Sequence, residues 1–255
     1  MRVLILSSGG KDSCYSLWWA LLKGWDVVGI VTAKINGDDS MMFQIPGTSV
    51  AGLQAVSSNI PWITVSLSGE PEDEIHELKE FLKPIVDGEY IHDIWNEEQW
   101  LENWPKGWIR PKFIQLKNNM KIDAIVTGAL RSDYQKTRIE RMSNELGIKS
   151  FTPLWHHDPY DHMCDLVEHG FELLFTSVSA DGLDKKWLGT VLNNDSLIIL
   201  NELSIKHRFS IDGEGGEFET TVVNAPWMEK KISLNGEGIW SGQNGFYQIN
   251  DAKLL

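Results

Sequence analysis

Short apolar runs rich in β-branched residues recur through the first half of the chain, at residues 3–6, 27–32, 62–65 and 124–127, with helical segments between them. This alternation predicts a parallel sheet wrapped by helices. Tyr15, Leu17, Trp18, Leu21 and Leu22 predict a helix packing back on the sheet after the first run. A second helix is expected over 70–86, where Pro71 and acidic residues mark the start, and a third over 134–146, stopped by Gly147. Between 87 and 111 the period is lost: Trp95, Trp100, Trp104 and Trp108 are interspersed with the breakers Pro105, Gly107 and Pro111. Past Ser150, short helical pieces give way to β-rich segments. Asn235-Gly236 and Asn244-Gly245 read as turns, and 246–249 as a terminal strand. The expected organisation is a first domain over 1–150 and a smaller α+β domain over 151–255. Open parallel sheets bind ligands at the carboxyl ends of their strands, where the strand order reverses, so the loops after Leu6, Thr32 and Thr127 are expected to wall one site.

The first of these loops carries the most chemistry. Ser7-Ser8-Gly9-Gly10-Lys11-Asp12-Ser13 directly follows Val3-Leu4-Ile5-Leu6. A strand ending in Ser-Gly-Gly can turn sharply, bring backbone N–H groups close to an anion, and aim the positive end of the next helix at the same place. It is not a Walker A loop, because Asp12 rather than Ser or Thr follows the lysine, and it is not the dinucleotide fingerprint. It resembles the pyrophosphatase loop, Ser-Gly-Gly-x-Asp-Ser, of enzymes that cleave ATP between its α- and β-phosphates. The alternative is a glycine-rich turn with no ligand.

Composition narrows the remaining classes. The formal net charge is -13, which argues against general nucleic-acid binding. No apolar run is long enough to predict a membrane span, and no signal-type segment precedes the first strand. A cytoplasmic protein is therefore expected. Cys14 and Cys164 are its two cysteines, too few for a disulfide framework, and Cys14 reads as a small core residue. His156, His157, Asp158, Asp161, His162 and Cys164 crowd several potential zinc ligands together. They lack the usual zinc spacings, so a polar loop is the expected reading.

Two more clusters complete the set. The segment Thr127-Gly128 to Glu140 follows a strand and opens a helix: Gly128 would let a base or ribose approach the backbone, Ser132 or Asp133 can cap the helix, and Arg138 and Arg141 add cations. A well-capped, solvated amphipathic helix is equally consistent with that pattern. Gly213-Glu214-Gly215-Gly216-Glu217-Phe218-Glu219-Thr220 places three carboxylates in six residues. They repel unless they are solvated or face a cation, a metal or a cationic substrate. An exposed acidic turn is the plainer alternative.

Taken in order, Ser8 to Ser13, Gly128 to Glu140, Pro153-Leu154-Trp155, Gly182-Leu183-Asp184 with Trp187-Leu188-Gly189, and Glu214 to Thr220 with Ala225-Pro226 resemble the diphthine–ammonia ligase family over nearly the whole chain. The resemblance implies an α/β fold of adenine nucleotide α-hydrolase type with a smaller C-terminal α+β domain. It also implies ATP-dependent amidation, with ammonium, of diphthine, the modified histidine of elongation factor 2, giving diphthamide, AMP and pyrophosphate. On that reading Ser8, Gly9, Gly10 and Ser13 bind pyrophosphate, Lys11 neutralises phosphate charge, and Asp12 helps hold Mg²⁺. Gly128, Ser132, Asp133 and Tyr134 lie beside the nucleotide, with Tyr134 reaching toward the substrate. Glu214, Gly215, Gly216, Glu217 and Glu219 receive the quaternary ammonium or guide ammonium, with Glu217 counted among the catalytic residues beside Lys11 and Asp12. No glutaminase triad is evident, so free ammonium is the expected nitrogen source.

The chain departs from the family at Met42-Phe43-Gln44-Ile45-Pro46, where the family shows His in place of Gln44. That removes a group able to take up a proton near neutral pH. Its tryptophan-rich segment over 87–111 reads as cover for a core edge or as a docking surface. Three other functions share some of these features: a related ligase on a small carboxylate, a sulfur-transfer enzyme acting on tRNA, and a nucleotide sensor without turnover. The acidic motif disfavours the first. The cysteine count and net charge disfavour the second.

Overall fold

A computed structural model describes residues 1–35, 49–70, 72–89, 104–117 and 119–255. They form two compact units, the first over Met1–Lys106 and Arg110–Trp155, the second over Gly107–Ile109 and His156–Leu255. The segment 42–46 with Gln44, and Trp95 and Trp100, lie outside the described residues.

The first unit is built on a five-stranded parallel sheet in the order β3-β2-β1-β4-β5. Its strands are β1 (Arg2–Leu6), β2 (Asp26–Ile35), β3 (Trp62–Leu67), β4 (Ala124–Val126) and β5 (Lys149–Phe151). Val3, Leu4 and Ile5 of the central β1 are fully buried although their side chains point alternately to the two faces, so both faces are covered, which explains an apolar run where a half-buried strand would alternate. The β2 strand outruns its predicted end at Thr32, because residues 33–35 pair with Val65, Ser66 and Leu67 of β3. The boundary expected near Ser150 falls inside β5, whose Ser150 pairs with Ile125.

Helices α1 (Lys11–Leu22), α2 (Val50–Ser57), α3 (Asp73–Asp87) and α4 (Asp133–Glu145) accompany this sheet. On α1 the buried face differs from the expected one. Lys11, Ser13, Cys14, Ser16, Leu17 and Ala20 turn inward, while Leu22 is 65% exposed. Small residues let the helix axis come close to the sheet, leaving the larger side chains on the flank. On α3, Ile75, Leu78, Leu82, Ile85 and Val86 form the apolar stripe. They join Leu4, Val31, Ile63, Ile125, Ile139 and Met142 in one core. The α3 helix starts three residues later than predicted because Glu72 has a left-handed φ of 70°, and α4 stops before Gly147 at φ 71°.

The second unit carries a four-stranded sheet in the order β7-β6-β9-β8, antiparallel throughout. Its strands are β6 (Glu172–Val178), β7 (Phe218–Asn224), β8 (Ile232–Ser241) and β9 (Asn244–Leu254), with helices α5 (Pro159–Glu168) and α6 (Asn194–His207). The two Asn-Gly dipeptides are not the turns they were expected to be. Ser241 pairs with Asn244, so the hairpin turns at 242–243, with Gly242 at φ 62°. Asn235-Gly236 instead marks a register shift within β8, where a Cβ on Gly236 would lie 2.2 Å from the Gln248 carbonyl oxygen. A bulge needing close backbone approach uses the same residue pair as a turn, so the sequence alone does not separate them. Among the described residues, no helix is long and apolar enough to cross a membrane.

Candidate active site

In the first sheet the chain moves from β1 outward through β2 and β3, then returns to the other side of β1 as β4. The reversal therefore lies between the carboxyl ends of β1 and β4, and the loop 7–10 and Thr127-Gly128 leave the sheet there.

The loop is held by its own serines and by three side chains from elsewhere. Ser7 N–H donates to the Val31 carbonyl at 2.8 Å, carrying the β1 pairing one residue further. Thr32 Oγ1 donates to the Ser7 carbonyl at 2.8 Å and in turn accepts from Trp62 Nε1 at 2.8 Å. Gly9 then reverses the chain at φ 86°, a conformation favouring glycine. Its N–H donates to Ser7 Oγ at 3.1 Å, and its carbonyl accepts from Gln54 Nε2 at 3.0 Å. Ser13 Oγ donates to the Gly10 carbonyl at 3.1 Å and lies 2.9 Å from Ser7 Oγ. The two hydroxyls therefore share one hydrogen bond at the mouth of the loop.

Gly10 is the extended N-cap of α1 and brings no side chain to close the first turn. The helix therefore presents its positive end in the manner of an anion-binding terminus. Lys11 Nζ lies 2.8 Å from Asp12 Oδ2, and both stand in that first turn. Cys14, buried just behind, has its thiol pushed well up by burial, which holds it as a neutral S–H; this donates to Gln54 Oε1 at 3.4 Å. It is packing, as expected, and not a nucleophile.

Gly128 is brought directly onto this turn. A Cβ there would lie 2.5 Å from both Asp12 C and Ser13 N. The α1 backbone fills the space that the sequence reading reserved for a base or ribose, and the close approach ties the β4 loop to the phosphate loop. One turn on, Ser132 caps α4 by accepting from Gln135 N–H at 3.3 Å, with Asp133 in the first turn. Tyr134 packs against the core, its ring covered by Arg138 with the guanidinium carbon 3.4 Å from the ring centre. Its hydroxyl is buried and makes no hydrogen bond among the described residues. Arg138 and Arg141 both bind the Glu72 carboxylate, which accepts from Arg141 at 2.8 Å. Those two hydrogen bonds hold the Glu72 carboxyl below the usual carboxylate range. Glu72, Gln54 and Trp62 were not anticipated as part of this neighbourhood. Gln54 had one visible signal, an amide inside the otherwise apolar stretch Val50-Ala51-Gly52-Leu53 and Ala55-Val56; Glu72 had none.

In the second unit the acidic loop is a compact, internally bonded turn. Ser210 N–H donates to Glu217 Oε1 at 3.0 Å, Ser210 Oγ donates to buried Asp212 at 2.6 Å, and Glu214 N–H donates to the same Asp212 oxygen at 3.3 Å. Ser179 Oγ donates to the Gly216 carbonyl at 2.6 Å. A Cβ on Gly215 would lie 2.7 Å from Glu217 Oε1, so the glycine makes room for that carboxylate. Glu217 Oε2 is buried without a hydrogen bond among the described residues, and Glu219 stands on β7 opposite Ser177. Among the described residues no three His, Cys, Asp or Glu side chains are grouped so as to hold a metal ion. In the polar segment at 156–164, Asp158 caps α5 by accepting from Tyr160 and Asp161 N–H, and the His157 and His162 rings meet edge-on at 5.8 Å.

Residues 1–104 and 112–150 match the Diphthamide synthase N-terminal domain, and residues 158–255 match the Diphthamide synthase C-terminal domain. The chain belongs to the diphthamide synthase family. Among curated relatives, diphthine–ammonia ligase of Danio rerio is 30% identical over 92% of this chain and 87% of its own length. That of Homo sapiens is 27% identical over 94% and 85%. The Schizosaccharomyces pombe ligase is 29% identical over 96% of this chain, which spans 38% of that longer protein. The family is that of the ATP-dependent diphthine–ammonia ligases, which convert diphthine to diphthamide.

Proposed function

We propose that this chain amidates the carboxylate of diphthine on elongation factor 2, in the cytoplasm, through an acyl-adenylate made at the loop 7–13. The observation that carries the reading is the reversal point itself. There an uncapped α1 terminus, Lys11 and two ordered serines stand together, tied to the β4 loop through Gly128.

A carboxylate is a poor acylating agent, so it is first joined to a leaving group. One of its oxygens attacks the α-phosphorus of ATP, the bond from that phosphorus to the bridging oxygen breaks, and pyrophosphate leaves. Ammonia then attacks the acyl carbon, the bond to AMP breaks, and the surplus protons pass to solvent. The Gly10 and first-turn amides, Ser8, Ser13 and Lys11 stabilise the charge gathering on the departing pyrophosphate. Asp12 fits a Mg²⁺ ion that arrives on the nucleotide, since Mg²⁺ is commonly held by one or two carboxylates plus phosphates. Bound there, the ion would offset phosphate charge. Ser132, Asp133 and Tyr134 border the nucleotide, while Gly128 keeps the β4 loop against the first turn of α1. Glu214, Glu217 and Glu219 supply negative charge for the trimethylammonium group of diphthine or for ammonium, on a loop shaped by Gly215 and Gly216.

The test is AMP and pyrophosphate release from ATP, Mg²⁺ and ammonium, with and without elongation factor 2 carrying diphthine. Release only with the modified factor supports the ligase. Release without it moves the substrate to a small carboxylate, and binding of ATP without release leaves a sensor.

A further inference from the structure

The geometry points to Gln54 as a positioning residue that sets the Gly9–Gly10 peptide so that its N–H faces the phosphates, a role that rests on the ligase reading of the loop. Gln54 is 1% exposed and lies on α2, 45 residues away from Gly9 in sequence. Its Nε2 donates to the Gly9 carbonyl at 3.0 Å, while its Oε1 accepts from the Cys14 thiol at 3.4 Å. The two contacts fix which way the amide is turned. Rotated by half a turn, Oε1 would confront the Gly9 carbonyl and Nε2 would confront the thiol proton.

A trans peptide directs its C=O and N–H to opposite sides. Holding the Gly9 carbonyl against α2 therefore turns the Gly10 N–H away from α2. Flipping that peptide turns ψ of Gly9 and φ of Gly10, and with glycine on both sides no Cβ opposes it; a flipped peptide would aim a carbonyl oxygen, in place of a donor, at an incoming phosphate. The serine bonds do not prevent this, because they restrain Gly9 N–H and the Gly10 carbonyl, on either side of the peptide in question. Gln54 bonds to it directly.

Gln54→Glu and Gln54→Leu separate positioning from packing. A protonated carboxyl can donate to the Gly9 carbonyl as the amide does, whereas a carboxylate repels it. The kcat/KM for ATP of Gln54→Glu, relative to wild type, is expected to approach unity at low pH. It should fall by roughly tenfold or more as pH rises through the titration of the introduced carboxyl. Gln54→Leu should be reduced at every pH, chiefly through KM, with the ratio flat. In parallel, the Gly10 amide resonance of nucleotide-free Gln54→Glu should titrate over the same range, and that of wild type should not. If the Gln54→Glu ratio does not vary with pH, or its Gly10 resonance stays fixed, the role is refuted. If wild type makes no AMP the ligase reading fails, while the Gly10 titration still decides whether Gln54 sets the peptide.

Discussion

Replacing Gly128 with Ala adds one methyl group at the contact between the β4 loop and the first turn of α1. That methyl would lie 2.5 Å from Asp12 C and Ser13 N and 2.8 Å from the Asp12 carbonyl oxygen, where ordinary contact begins at 3.4 Å. The difference, 3.4 less 2.5, means that the α1 terminus and the β4 loop must separate by 0.9 Å. Neither side yields easily: β4 pairs with both β1 and β5, and α1 is anchored through Leu17 and Ala20. Overpacking costs about 1–3 kcal/mol, and rigid backbone on both sides puts this substitution near about 3. For a chain of this size that lowers the melting temperature by about 6–12 °C. Thermal unfolding read by circular dichroism measures the loss, and ATP titration shows whether the displaced turn binds nucleotide more weakly. Gly24→Ala is the control. It sits at φ 67° with open space around it, so it should cost about 1 kcal/mol and leave ATP binding unchanged. A Gly128→Ala protein that melts within about 2 °C of wild type, a shift worth less than about 1 kcal/mol, and binds ATP equally well refutes the close-approach argument.

Other substitutions probe the same neighbourhood. Lys11→Met should leave the fold intact and reduce AMP formation by about 10²–10³-fold, measured as kcat, because it removes the cation in the first turn of α1. Glu72 has its carboxyl held down by Arg141 and Arg138. Its contribution is therefore present above the ordinary carboxyl value and lost as pH falls through the depressed one. Glu72→Gln should flatten that acid limb in pH-dependent melting curves. Cys14 is buried and its thiol pushed up, whereas Cys164 is half-buried. A thiol reagent near pH 8 should react with one cysteine in the native protein and with two after unfolding.

Four strands of the first sheet were legible because burial on both faces leaves continuous apolar runs, as at Val3-Leu4-Ile5, and the phosphate loop because its turn demands particular residues at fixed spacing; the short edge strand Lys149–Phe151, only partly buried, leaves no such run. The inward face of α1 was legible only at Cys14 and Leu17: large apolar residues also suggested Tyr15, Trp18 and Leu22, whereas the helix turns Ser13, Ser16 and Ala20 inward. Gly128 was singled out for the right reason, a need for space, but what takes the space is the Asp12-Ser13 backbone. The partners of the loop were hidden because Gln54 and Trp62 are remote in sequence and their roles exist only once α2 and β3 have packed. Trp104 illustrates the same limit. One residue of an aperiodic stretch, it stacks edge-on with Trp62 at 6.0 Å and with Phe113 at 5.4 Å, covering the ring whose Nε1 braces Thr32. That agrees with the reading of this tryptophan as core cover.

The acyl-adenylate is tested most directly by placing ¹⁸O in the diphthine carboxylate of elongation factor 2, supplying ATP, Mg²⁺ and ammonium, and analysing the nucleotide and phosphate products by mass. Attack on the α-phosphorus predicts one labelled oxygen in AMP, unlabelled pyrophosphate, and an amide retaining the other label. Label in inorganic phosphate with ADP as the nucleotide product would place the attack at the γ-phosphorus and contradict the role assigned to the loop 7–13.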